Sequence, residues 1–95
     1  MITREGERLL LQGAVTIGTV SAHLAQVRAL LEPGVAALDF AGVTEVDSAA
    51  VALALECLRE ARRRKISLSL DNLPEAMQHL AELYAVSELL QADPA

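Results

Sequence analysis

Leu38-Asp39-Phe40-Ala41-Gly42-Val43-Thr44-Glu45-Val46-Asp47-Ser48-Ala49-Ala50-Val51-Ala52-Leu53-Ala54-Leu55 is the stretch on which the reading of this chain turns. It reads as a strand ending at Phe40, a short loop through Val43-Thr44-Glu45-Val46, and a helix that begins at Asp47-Ser48. Asp and Ser are favoured at helix N-termini because their side-chain oxygens accept from backbone N–H groups that have no partner within the helix. Asp47 is therefore expected to support the helix N-terminus, and Ser48 to sit at its positive end. A phosphate on Ser48 would meet free N–H donors and the favourable pole of the helix dipole, so Ser48 is a candidate phosphorylation site. Without further context, such a pair is more often an ordinary cap than a switch.

Outward from this stretch, the remaining elements follow from local pattern. Ile2 to Arg4 and Arg8 to Gln12 are extended segments around Glu5-Gly6-Glu7, where Gly6 can take the positive φ of a tight hairpin. Leu9-Leu10-Leu11 lacks the alternation of a half-exposed strand, as expected for a strand covered on both faces or paired centrally. After a loop over residues 13–18, Thr19 or Ser21 can cap a helix whose apolar face is Leu24, Val27, Leu30 and Leu31, and Pro33-Gly34 ends it. Val35 to Phe40 is then a strand reached by a right-handed crossover and paired in parallel. The helix from about Ser48 to Arg64 is predicted to face the sheet with Val51, Ala54, Leu55 and Leu58, while Glu56, Arg59, Glu60 and Arg63 fall away from it. Ile66-Ser67-Leu68-Ser69-Leu70 alternates as a strand with one buried face and ends at Asp71-Asn72. Pro74 opens a last helix with the stripe Ala76, Met77, Leu80, Leu83 and Tyr84, followed by a short irregular end over Val86 to Leu90. The sum is an α/β fold: an N-terminal hairpin, then alternating helices and strands, with a small mixed sheet of about four strands and three main helices.

Ninety-five residues make one domain, taken as residues 1–90, with 91–95 as an unstructured tail. The 53% hydrophobic content comes from Ala, Val and Leu rather than aromatics, which supports a core of closely packed small side chains. Met1-Ile2-Thr3-Arg4-Glu5 opens without an apolar run behind a basic segment, and no stretch approaches a membrane span, so no targeting or membrane insertion is expected. A single cysteine, Cys57, leaves no internal disulfide and suits a reducing compartment. A net charge of −5 with only Phe40 and Tyr84 available for stacking disfavours nucleic acid as a partner.

Few side chains point to chemistry. The sequence holds no phosphate loop, nucleophile elbow or zinc motif, and neither a metal nor another cofactor is expected. His23 and His79 read as isolated surface histidines, and Cys57 as a small buried hydrophobe. Arg59, Arg62, Arg63, Arg64 and Lys65 read first as solvated cations complementing a helix C-terminus, and second as a surface for phospholipid or an acidic partner. More telling is the start of the Ser48 helix, where Ala49, Ala52 and Leu53 make an apolar back beside Ser48 that a partner would cover. Tyr84, with an apolar ring and a polar tip, is the second candidate anchor.

The run from Asp39 to Leu53 resembles the core of the STAS family (sulfate transporter and anti-sigma factor antagonist), whose strand-loop-helix signature is an Asp followed by Ser or Thr. The turn at Gly6, the Leu9-Leu10-Leu11-Gln12-Gly13 strand and Leu80-Ala81-Glu82-Leu83-Tyr84 are similar to its MlaB-type branch, and the resemblance covers nearly the whole chain. That resemblance implies a STAS fold and a non-enzymatic accessory subunit of a phospholipid ABC transporter that maintains lipid asymmetry of the outer membrane. Such a subunit is cytoplasmic, peripheral to the inner membrane, and docks on the ATPase subunit in its complex with the permease. Ser48, Ala49, Ala52, Leu53 and Tyr84 would be the partner-binding residues. The same resemblance implies an alternative, an anti-sigma factor antagonist switched by phosphorylation of Ser48. Ala50 stands where many phosphoswitch members have Gly.

Overall fold

A computed structural model describes residues 2–86 and 89–90. The expected tail over 91–95, and Ser87-Glu88 of the irregular end, lie outside the described residues. Strands β1 (Ile2–Glu5) and β2 (Arg8–Val15) form the hairpin, followed by α1 (Val20–Leu30), β3 (Ala37–Val46), α2 (Ser48–Arg63), β4 (Ser69–Asp71) and α3 (Glu75–Leu83). The sheet order is β1-β2-β3-β4, antiparallel between β1 and β2 and parallel between the other pairs, the mixed four-stranded sheet expected. Gly6 carries φ of 60° in the two-residue turn between Glu5 and Arg8, which are register partners. A side chain there would be strained.

The largest departure is β3. It does not stop at Phe40 but runs on through Val46, because the outer half of β2 pairs with it as far as Val15 opposite Val46. Val43-Thr44-Glu45-Val46 is therefore strand, not loop. The pairing shifts register between Leu10 and Gln12 and again between Gly13 and Ala14, and in both places β3 holds the extra residue. Bulges of this kind bend and twist a strand. The first is stabilised by Asp39, whose Oδ1 accepts from the Ala41 amide at 2.9 Å. It also demands glycine at 42, since a Cβ there would lie 2.9 Å from the Leu11 carbonyl oxygen and 3.1 Å from Gln12 Cγ.

One face of the sheet presents Ile2, Leu9, Leu11, Leu38 and Phe40 to a single core. Against it α1 packs on α2 and α2 on α3, with Val27, Leu31, Ala50, Leu53, Ala54, Cys57, Met77 and Ala81 buried between them. β2 is central, as Leu9-Leu10-Leu11 suggests, but covered on one face only: Leu9 and Leu11 are fully buried and Leu10 is half-buried. β4 is shorter than expected and displaced toward its C-terminal end, although Ile66 and Leu68 are buried as its alternation implies.

Three side-chain placements correct the sequence reading. Helix α2 lies between two helices, so its buried stripe is Ala50, Leu53, Ala54, Cys57 and Ala61 together with Val51, while Leu55 and Leu58 are only half-buried flanks. Glu60 does not point to solvent but is 2% exposed, held by Arg63 and Arg64 of its own helix and faced by Arg28 of α1. Those hydrogen bonds, with Arg63 first, lower the Glu60 pKa from the ordinary glutamate value. His23 is buried, in line with Val27 and Leu31 on the inner face of α1, with Nε2 2.9 Å from the Ala14 carbonyl oxygen. His79 is exposed as expected, with Glu75 one turn back at 3.8 Å.

Candidate functional site: the start of helix α2

Asp47 is the N-cap of α2, with extended backbone and Oδ1 accepting from the Ala49 amide at 2.8 Å. Its second oxygen does something the sequence does not reveal. Oδ2 accepts from the Ile17 amide at 3.0 Å, tying the β2–α1 loop to the start of α2. That loop is stiffened by its own short bonds: Thr19 Oγ1 donates to the Ala14 carbonyl at 2.9 Å and accepts from the Thr16 amide at 3.0 Å. Thr19 occupies the N-cap position of α1 yet makes no side-chain cap, its hydroxyl being committed to this loop.

The consequence is a firm surface with a defined composition. Ser48 and Ala52 are exposed, Ala49 is half-buried, and Ile17, 79% exposed, stands beside Asp47. Ile17 is the member that sequence reasoning missed. Its only signal is a large β-branched side chain in a loop of small and polar residues, and its position rests on the contact with Asp47, thirty residues away. Leu53, expected on this surface, is not part of it. It is 2% exposed and belongs to the core, because α2 is turned to wedge between its two neighbours.

Tyr84 belongs to a second patch. It caps the C-terminal end of α3 and is 52% exposed, next to Leu83 at 76%. The structure thus groups Ser48, Ala49 and Ala52 with Ile17 at the start of α2, and leaves Tyr84 at the end of another helix.

In chemical terms the α2 end is equipped for contact. Both oxygens of Asp47 are engaged by backbone N–H groups, so this carboxylate is committed to the backbone rather than to the Ser48 hydroxyl. The Asp39 carboxylate pairs elsewhere: it accepts from Asn72 at 3.0 Å and Arg8 at 2.8 Å, and these bonds hold its pKa below the usual aspartate value. Cys57 is fully buried, and desolvation pushes its thiol up to about 12, far from a reactive thiolate. Among the described residues no group of three or more His, Cys, Asp or Glu could hold a metal ion, and no helix is long and apolar enough to cross a membrane.

A hairpin leading into a parallel β2-α1-β3-α2-β4 passage, with an Asp-Ser step opening α2, defines the class: an α/β domain of the STAS fold. The chain belongs to the MlaB-type STAS family, whose model, described as "Mlab, STAS domain", matches residues 1–91. Among solved structures it is similar to the anti-sigma factor antagonist SpoIIAA in its unphosphorylated form, with 20% identity, a TM-score of 0.61, and coverage of 87% of this chain and 81% of that one. It is also similar to part of Mglu, with 26% identity and a TM-score of 0.59 over 79% of this chain, which spans only 19% of that structure's chain. Comparison with curated proteins gave no match.

Proposed function

We propose that this domain is a non-enzymatic accessory subunit that docks on the cytosolic ATPase of a phospholipid ABC transporter and supports its assembly or activity. The reading carries over from the MlaB-type family, and one observation supports docking through the start of α2. The start of α2 offers Ser48, Ala52 and Ile17 to solvent on a loop that Asp47 and Thr19 hold rigid, so docking would cost little ordering entropy. Tyr84 and Leu83 supply a second anchor at the end of α3. In this reading the domain needs no cofactor and reaches the membrane only through the transporter.

The fold likeness to SpoIIAA favours one other reading, a protein switch in which phosphorylation of Ser48 releases the partner. A tagged chain recovered from its native cell separates the two, since an ATPase with its permease supports the first and a kinase-like anti-sigma factor the second. For the Ser48 surface itself, Ser48→Ala should bind the purified ATPase complex as the parent does, while Ser48→Asp should bind about tenfold or more weakly. Both should melt within a few degrees of the parent, because a negative group at an exposed helix N-terminus is tolerated. Equal affinity for Ser48→Asp would reduce Ser48 to an ordinary helix residue.

A further inference from the structure

Basic residues gather at the end of the molecule away from Ser48: Arg28 in the last turn of α1, and Arg59, Arg62, Arg63, Arg64 and Lys65 at the end of α2. In a chain of net charge −5 this is a segregated patch. Two carboxylates organise it. Glu56 lies between Arg28 at 3.7 Å and Arg59 at 3.6 Å. Buried Glu60 accepts from Arg63 Nη2 on both oxygens at 2.6 Å and from Arg64 Nε at 2.9 Å, with Arg28 at 3.6 Å. Arg64 Nη1 also donates to the Leu31 and Arg28 carbonyl oxygens at 2.7 and 2.9 Å, which fastens the end of α1 to α2.

These arginines are held at one edge and open at the other. Arg63 gives one nitrogen to Glu60, yet its side chain is 71% exposed, and that of Arg59 is 77% exposed. A guanidinium has five N–H donors, so each keeps several for a further acceptor. Six cations against two carboxylates leave a surplus of positive charge in partly fixed positions. Arg59, Arg62 and Arg63 repeat at three and four residues along an exposed helix edge, so they fit several carboxylates on one chain better than one small anion.

We infer that the end of α2 is a docking surface for an acidic protein segment whose carboxylates repeat at three- and four-residue spacing. An anionic membrane fits it less well. The net charge of −5 opposes approach to an anionic leaflet. The surface is separate from that at Ser48, since a helix of 16 residues sets its ends about 24 Å apart. Two partners could therefore be held at once.

The test uses the purified full chain and a fluorescent helical peptide with glutamates at that spacing, read by anisotropy at low and at physiological salt. Saturable one-to-one binding is expected, together with about tenfold or greater loss in an Arg59→Gln/Arg62→Gln double variant. Neither arginine contacts Glu60, so this variant should keep the parental melting curve. Arg59→Lys/Arg62→Lys should also bind more weakly, because lysine keeps the charge but not the bidentate geometry. The proposal is overturned if the parent does not saturate, if either double variant binds as well as the parent, or if vesicles of equal phosphatidylglycerol and phosphatidylcholine bind while the peptide does not.

Discussion

Neighbouring residues on α2 should respond in opposite ways to substitution, and Ala52 with Leu53 is the sharpest pair. Leu53 is 2% exposed in the core between the helices, whereas Ala52 is on the open side of the same helix. Leu53→Ala removes the buried side chain and leaves a cavity, a change that costs about 2–5 kcal/mol in well-packed cores. A domain of 95 residues has an unfolding entropy of about 0.2 kcal/mol/K near its midpoint, so a loss of about 3 kcal/mol lowers Tm by roughly 15 °C. Total stability for this length is on the order of 5–14 kcal/mol, so Leu53→Glu, which buries an unpaired charge as well, should leave little folded protein. Ala52→Glu should melt within a few degrees of the parent and yet lose the ATPase partner. Circular-dichroism melts of the three variants, with a pull-down for Ala52→Glu, decide the matter. A Leu53→Ala protein melting within about 3 °C of the parent would refute the placement of this side chain in the core.

Gly42→Ala should destabilise by about 1–3 kcal/mol, seen as a lowered urea midpoint, because the new Cβ would press on the Leu11 carbonyl at the first bulge of β3. Tyr84→Ala, at a half-exposed position, should weaken ATPase association while shifting the melting temperature by only a few degrees, and a large stability loss with unchanged binding would make Tyr84 a packing residue. Asp39 and Glu60 both titrate below their ordinary values when folded, so the unfolded chain takes up protons first as pH falls. Their contribution is complete above the ordinary carboxylate range and lost as pH drops through the lower folded values, so urea midpoints should decline below about pH 4.5. Asp39→Asn should flatten part of that decline.

Much of the architecture was legible in the sequence because it rests on local rules. The turn at Gly6, the Asp47 cap, the end of α1 at Pro33-Gly34 and the start of α3 after Pro74 each follow from the conformational preference of one or two residues. The full length of β3 was not legible: Val43 to Val46 has no pattern distinguishing loop from strand until the outer half of β2 is beside it. The candidate site divides in the same way. Ser48, Ala49 and Ala52 were readable from the helix start, whereas Ile17 joins them only through the Asp47 carboxylate.

What the sequence determined by itself, then, is the order of elements and where each helix begins, since caps, turns and periodicity act over a few residues. Which side of α2 is inside was decided only in three dimensions, whereas the inner face of α1, with Val27 and Leu31 buried, followed from its own periodicity. Helical periodicity allowed either side of the apolar first turns of α2 to be the core, and packing between α1 and α3 chose the side with Leu53 and Cys57. The same packing brought Arg28 to Glu60, and α1 lying against β2 brought the Ala14 carbonyl to His23, burying two polar side chains that local pattern assigned to the surface. A buried polar group needs a partner, and here part of that partnership comes from residues distant along the chain.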